Sequence, residues 1–186
     1  MRRKAFTLIE LMVAIAIIII LAVIIVHRAY KAIEKATITA IIRDIHSIKS
    51  AAMVFYADTG TWPADRCNAA FTSNTNCTYI GTYRGWDGPY LEKWPPTAKW
   101  GGVYLFRNGN NATAAVGGFN WGATTAVSPV RVVSISGVPS STTALATTAA
   151  GKIDMEIDGA VGQNAGSVCY TLASPTTTVY ILVSAD

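Results

Sequence analysis

The stretch FTLIELMVAIAIIIILAVIIV, Phe6 to Val26, decides how the rest of this chain is read. It has 21 residues and a single charge, Glu10, and from Leu11 to Val26 it holds no polar side chain. Roughly 20 apolar residues in a helix suffice to cross a bilayer. Arg2, Arg3 and Lys4 precede the run, so the positive charge places the N-terminus on the cytoplasmic side and the remainder of the chain beyond the membrane. Two ordinary explanations leave something over. A cleaved secretory signal needs a small-residue cleavage site after its apolar region, whereas this run passes directly into His27-Arg28-Ala29-Tyr30-Lys31. A plain signal anchor, holding a binding protein or enzyme that keeps Met1 to Ala5 and never polymerises, fits length and orientation but leaves Glu10 unexplained. A carboxylate inside an apolar span costs about 3 kcal/mol on insertion scales. The positive end of the helix dipole offsets only part of that. Glu10 therefore needs a partner.

Ala5-Phe6-Thr7-Leu8-Ile9-Glu10-Leu11, behind a short basic leader, resembles the class III signal of type IV pilins and type II secretion pseudopilins. The resemblance implies that a prepilin peptidase cuts between Ala5 and Phe6, with Ala5 where glycine is usual, and that the new amine of Phe6 is methylated. It also implies the missing partner, since Glu10 would pair with the terminal amine of Phe6 on a neighbouring subunit. A buried charge is tolerated when paired, and such a pair fixes register. The expected function is that of a structural subunit of a type IV pilus. It would wait in the inner membrane as a single-pass precursor, and inner-membrane assembly machinery would build it into a homo-oligomeric helical filament on the cell surface. The alternative is a major pseudopilin of type II secretion, which has the same mechanics. Gly88-Pro89-Tyr90-Leu91, Trp94-Pro95 and Trp100-Gly101-Gly102-Val103-Tyr104 resemble the loop-to-first-strand passage of that group. Adhesion, motility, DNA uptake and conduction all share this scaffold.

The helix is expected to continue past the membrane. Ile38, Ile41, Ile45, Ile48, Ala52 and Phe55 recur at steps of three and four, which marks one apolar face, while Arg43, Asp44 and Lys49 occupy the other. Asp58-Thr59-Gly60 with Pro63 soon after ends it. Phe6 to Ala57 is 52 residues, or roughly 78 Å at the helical rise. The run 11–27 holds neither Gly nor Pro, where many helices of the resembled family melt on assembly.

The chain is thus divided into a leader (1–5), a long helix (6–57, with 6–26 as membrane span and filament core), a variable loop region (58–99) and a head (100–186). Strands are expected at Val103–Arg107, Val130–Ser136, Val168–Leu172 and Thr178–Val183, the last two joined by a hairpin-like Ala173-Ser174-Pro175-Thr176-Thr177. Residues 140–158 read either as a short helix capped by Ser140 or Ser141 and ending at Gly159, or as a strand in which Ile153, Met155 and Ile157 alternate; the helix is favoured. The fold class is α+β, a long N-terminal helix packed on a small antiparallel sheet.

Composition supports this and adds little chemistry. Of 186 residues 51% are hydrophobic and 14% charged, so the apolar weight exceeds what one small core needs. The net charge of +4 is mostly the leader: without Arg2, Arg3 and Lys4 the balance is 12 cations against 11 anions, and no nucleic-acid partner is indicated. Cys67 and Cys77 flank a short polar loop and are the favoured disulfide, with Cys67–Cys169 as the other pairing. Cys169 otherwise reads as a buried small hydrophobe.

His27 and His46 read as structural or solvated, because no nucleophile, phosphate loop or metal-ligand spacing accompanies them and no enzyme is expected. No cofactor is expected. Calcium is weighed at Asp154, Glu156 and Asp158 with Gly159, because major pseudopilins bind it late in the chain. The spacing does not reproduce a calcium loop, and a solvated acidic patch is favoured. Arg28, Lys31 and Lys35 read equally as lipid-phosphate contacts or a solvated stripe. The tryptophans from Trp62 to Trp121 read equally as a binding surface or as loop anchors, and Tyr30, Phe55 and Tyr56 as packing. Asn76-Cys77-Thr78 and Asn111-Ala112-Thr113 match the glycosylation sequon, a pattern common by chance.

Overall fold

The structure, a computed structural model, describes residues 7–77, 82–110, 121, 129–140, 148–162, 166–170 and 175–185. The fold is α+β, with a long N-terminal helix and a small four-stranded antiparallel sheet. Helix α1 is Leu8–Thr59. The strands are β1 (Tyr104–Asn110), β2 (Pro129–Pro139), β3 (Val168–Tyr170) and β4 (Thr176–Ala185), and a second helix, α2, is Ala149–Asp158. The chain forms two compact units, Met1–Thr39 and Ala40–Asp186.

In the first unit α1 is apolar around its whole circumference from Leu11 to Val26. Its most apolar 18-residue window has a mean hydropathy of 3.3 and none of it is buried, so by length and composition the helix can cross a membrane.

In the second unit the same helix becomes one-sided. Ile41, Ile45, Ile48, Ala52 and Phe55 are buried, while Arg43, His46, Ser47 and Ser50 are exposed. This is the three- and four-residue repeat expected of a helix laid on a core. The helix stops where Gly60 takes φ +67° and its N–H donates to the carbonyl of Tyr56. Only glycine adopts that left-handed turn without strain.

Beyond the helix the core is aromatic. Phe55 meets Tyr83, Tyr90 and Phe71 at ring separations of 4.9, 5.5 and 6.0 Å. Phe71, on the short 3-10 turn Asn68–Phe71, in turn packs on Trp94 and on Phe106 of β1, both at 5.4 Å. One ring thus bridges helix, loop and sheet. Aromatic pairs in these tilted and edge geometries add about 0.5–1.5 kcal/mol each beyond the area they bury. The Tyr104 hydroxyl donates to Asp44 Oδ2 on α1 (3.4 Å); burial, reinforced by that carboxylate, holds its pKa well above the ordinary tyrosine value.

The sheet order is β1-β2-β4-β3, with all neighbours antiparallel. Central β2 is buried continuously from Val130 to Ile135, while β4 alternates, burying Thr177, Val179, Ile181 and Val183. Trp121 packs with Val130, Val132 and Cys169 in one buried cluster, which explains why that face of β2 is not exposed. Strands β2 and β4 are longer than the runs the alternation marks, because ladder pairing carries them through Pro139 and Thr176.

The helix favoured near residue 150 is present, with a different start. Thr148, not Ser140, is its N-cap, its Oγ1 accepting from Gly151 N at 3.1 Å; Ser140 lies just past β2, its N–H donating to the carbonyl of Pro175, and Ser141 lies outside the described residues. Gly159 ends it.

The three acids are not one solvated patch: Glu156 is exposed and Asp158 half-buried, but Asp154 is not solvated. Asp154 is fully buried, its Oδ2 accepting from Gly162 N (2.6 Å) and its Oδ1 taking no hydrogen bond among the described residues. One turn on, Asp158 Oδ2 accepts from Ser167 N (2.8 Å) and Val168 N (2.9 Å), tying α2 to β3. Burial pushes the Asp154 carboxyl up to about 6; the Gly162 N–H opposes the shift and the neighbouring Asp158 adds to it.

Two outcomes follow for the full chain in mild detergent. Phe55→Ala lowers head stability by about 3–5 kcal/mol, the range for truncating a buried aromatic. The exposed Met53→Ala stays within about 0.5 kcal/mol. Tryptophan fluorescence against denaturant reads both. For Asp154, the folded value of about 6 exceeds the ordinary 3.8. The folded state therefore holds this proton more tightly, and its stabilising contribution, complete below the unfolded value, is lost as pH rises through 6. The thermal midpoint thus rises when pH falls from about 7 to about 5, and Asp154→Asn flattens that rise. An unchanged slope in the variant assigns the pH dependence elsewhere.

Candidate functional site

The candidate site is the start of α1. Ala5 and Phe6, the expected processing residues, lie outside the described residues. Thr7 and Glu10 lie within them and form a reciprocal cap. The Thr7 N–H and hydroxyl both donate to Glu10 Oε2, at 3.2 and 3.0 Å, and Glu10 N donates to Thr7 Oγ1 at 3.3 Å. This is the capping box, in which two otherwise unpaired helix N–H groups are satisfied by one hydroxyl and one carboxylate. Glu10 therefore has a local partner. The spacing Thr7-x-x-Glu10 is the sequence signal for it, overlooked because the carboxylate was weighed only against the membrane.

Downstream of the cap the described side chains as far as Val26 are apolar and exposed. Leu8 is 76% exposed and Ile15, the least exposed large side chain of the run, still 50%. Arg28, Lys31 and Lys35 are exposed on the first unit's part of α1. His46 is exposed on the second unit's part, where it lines a shallow cavity of about 580 Å³ with Lys49, Ser50, Met53 and Val54. Among the described residues no cluster of three or more His, Cys, Asp or Glu is placed to hold a metal ion.

The other singled-out residues serve packing. Cys67 and Cys77 are joined as a disulfide, and Cys169 is a buried thiol, which burial first and then the charges of Asp154 and Asp158 push up to about 11. Trp86 donates to the carbonyl of Ala70 (2.9 Å) and Trp94 to that of Tyr104 (3.2 Å), so both anchor loops. Trp62 stacks on Tyr56 with centroids 4.5 Å apart, and the Arg131 guanidinium carbon lies 5.2 Å from the centre of the Trp62 ring. Phe55 is buried while Tyr56 and Tyr30 are exposed, so these three do not form one surface. Thr78 and the sequon at 111–113 lie outside the described residues.

Comparison with known proteins bears on the family of the chain. Residues 1–26 match the prokaryotic N-terminal methylation motif. Residues 32–119 match the family described as PilW, C-terminal. The fimbrial protein EcpC of Eikenella corrodens is 31% identical over 123 residues, which cover 64% of this chain and 80% of that protein. No solved structure matches the chain. A methylation motif on a capped, exposed apolar helix, joined in one sequence to an antiparallel head and to a fimbrial relative over most of its length, places this chain in the type IV pilin family.

Proposed function

We propose that this chain is a structural subunit of a type IV pilus, held in the inner membrane before assembly and polymerised through residues 6–26 into an extracellular filament. The observation that carries the reading is that Leu8–Val26 lie exposed and apolar on a helix whose first residues match the methylation motif. A helix that is apolar all round is stable only when lipid or other helices cover it. Lipid serves before assembly and sister helices afterwards, with burial of apolar surface as the driving force outside the membrane.

In this reading a prepilin peptidase cuts between Ala5 and Phe6, and the Phe6 amine is methylated. The cut also removes Arg2, Arg3 and Lys4, charges that a packed apolar core would have to exclude. Glu10 then pairs with the Phe6 amine of a neighbouring subunit. The local cap engages Oε2, which leaves Oε1 to accept that amine. Residues 58–99 form the variable loop region and 100–186 the head. The fimbrial name of the relative favours a pilus, whereas the passage at residues 88–104 favours a pseudopilus, and one experiment separates them. Mass spectrometry of sheared surface appendages should find abundant chain beginning at methylated Phe6. Processed chain confined to the envelope assigns a pseudopilin, and an intact Met1 overturns the filament reading.

Glu10 provides a sharper test, because the cap and the pair respond differently to substitution. Glu10→Ala loses both. Glu10→Gln keeps a side chain that completes a capping box but carries no charge. Both variants should lose filaments from the sheared fraction while the head's thermal midpoint stays at its wild-type value. Stranding one partner of a buried pair costs about 3–5 kcal/mol. Normal filaments from Glu10→Gln would reduce the role of Glu10 to capping.

A further inference from the structure

Among the described residues the sheet order leaves two edges, β1 and β3. An open edge presents a row of unpaired N–H and C=O groups that recruits other strands. The β3 edge is blunted by its length of three residues and by Asp158, which takes the Val168 N–H. The β1 edge has seven residues and is long enough to accept a partner.

From the Tyr104 carbonyl to the Asn108 N–H that edge is filled mostly by side chains. Asn68 faces it as a peptide group of a neighbouring strand would: its Oδ1 accepts from Phe106 N (3.2 Å) and its Nδ2 donates to the carbonyl of Tyr104 (3.4 Å). Asp65 Oδ1 accepts from Asn108 N (3.0 Å) and from Arg107 Nε (2.9 Å), and Asn108 Nδ2 donates to the carbonyl of Pro63 (3.0 Å). The one backbone pairing is from Arg66 N to the carbonyl of Phe106 (2.9 Å). Between Arg66 and Asn68 sits Cys67, fully buried and bonded to Cys77, which anchors the segment from behind. Every outward-facing group from the Tyr104 carbonyl to the Asn108 N–H is thus occupied without a strand being there.

We propose that residues 63–68 guard a strand-accepting edge of β1 against a second copy of this chain, so that copies do not join head to head. The occupant follows from the edge itself. An antiparallel β1–β1 pair is self-complementary about a two-fold axis, as an interface between identical copies requires. Copies of one chain sharing a micelle or a membrane also meet at high effective concentration. Apart from the Arg66 N–H on the Phe106 carbonyl and the Trp94 indole on the Tyr104 carbonyl, the guard is the side chains of Asp65 and Asn68, so most of it can be removed without touching the ladder between β1 and β2.

The test uses the full chain in mild detergent, with wild type as the reference for any association through α1. The variant Asp65→Ala/Asn68→Ala should show twice the wild-type protein mass by light scattering, with the Phe106 and Asn108 amides still slow to exchange. Adding Asn108→Pro, which removes the outward N–H, should return the mass to the wild-type value. An intact Cys67–Cys77 bond by mass spectrometry reports that the head has folded. If the double variant fails that check, Asn68→Ala alone is judged by the same criterion. Wild-type mass in a folded guard variant overturns the proposal, and so does a doubled mass that survives Asn108→Pro.

Discussion

Residues Leu8–Val26 bury no side chain within their own chain, yet they are the most apolar part of it. That mismatch is the constraint on which the rest of the structure depends. An uncovered surface of this size cannot be offset by the head, whose core is assembled from its own residues: Phe55, Phe71, Phe106, the valines of β2 and the alternate residues of β4. The first unit is therefore incomplete in water and the second is complete. Burial of apolar area contributes roughly 25 cal/mol per Å², so a helix left with this much uncovered surface is strongly driven toward lipid or other helices. Membrane storage and filament assembly, in the proposed function, are two ways of meeting one demand.

Much of this was legible because it is written in local periodicity. The unbroken apolar run, the change to a one-sided stripe at Ile41, Ile45, Ile48, Ala52 and Phe55, and the break at Gly60 all follow from residues a few positions apart. The same holds for the cores of the four strands and for the Cys67–Cys77 pair, where a short loop brings two thiols together. Local signals also explain one miss. Thr7-x-x-Glu10 is a capping box in plain view, but a carboxylate in an apolar run draws attention to the membrane and away from the backbone N–H groups beside it.

The remaining misses share a different cause: they depend on contacts distant in sequence. Asp154, Glu156 and Asp158 look like one solvated patch because alternating acids on a short segment usually are. On a helix, however, Asp154 and Asp158 stand one turn apart on the same side, and packing of α2 against β2 and β3 buries the first of them. Ser140 looks like a cap because it precedes the segment, yet β2 runs on to Pro139 just before it, and the helix Ala149–Asp158 is capped by Thr148. Nothing near Asn68 or Asp65 announces that their side chains will face a strand about forty residues later. Side-chain mimicry of a strand has no period to detect.

The cap at Glu10 bears on how a charge reaches an apolar core at all. A carboxylate carried bare into hydrocarbon would meet its whole desolvation cost in a single step. Here Thr7 satisfies one carboxylate oxygen through two short-range bonds that travel with the helix, whatever surrounds it. In the proposed filament the amine of a neighbour's Phe6 would then have only to satisfy what remains. The cost is divided between a partner always present and one met on assembly, and the second is the one that discriminates. In that filament a subunit out of register would keep its cap but lack its pair. The ion pair would then contribute to the energy difference between right and wrong register, because in a medium of low dielectric a charge left without its counter-charge is costly. A single carboxylate can on these terms be tolerated in the membrane and still be selective in the filament.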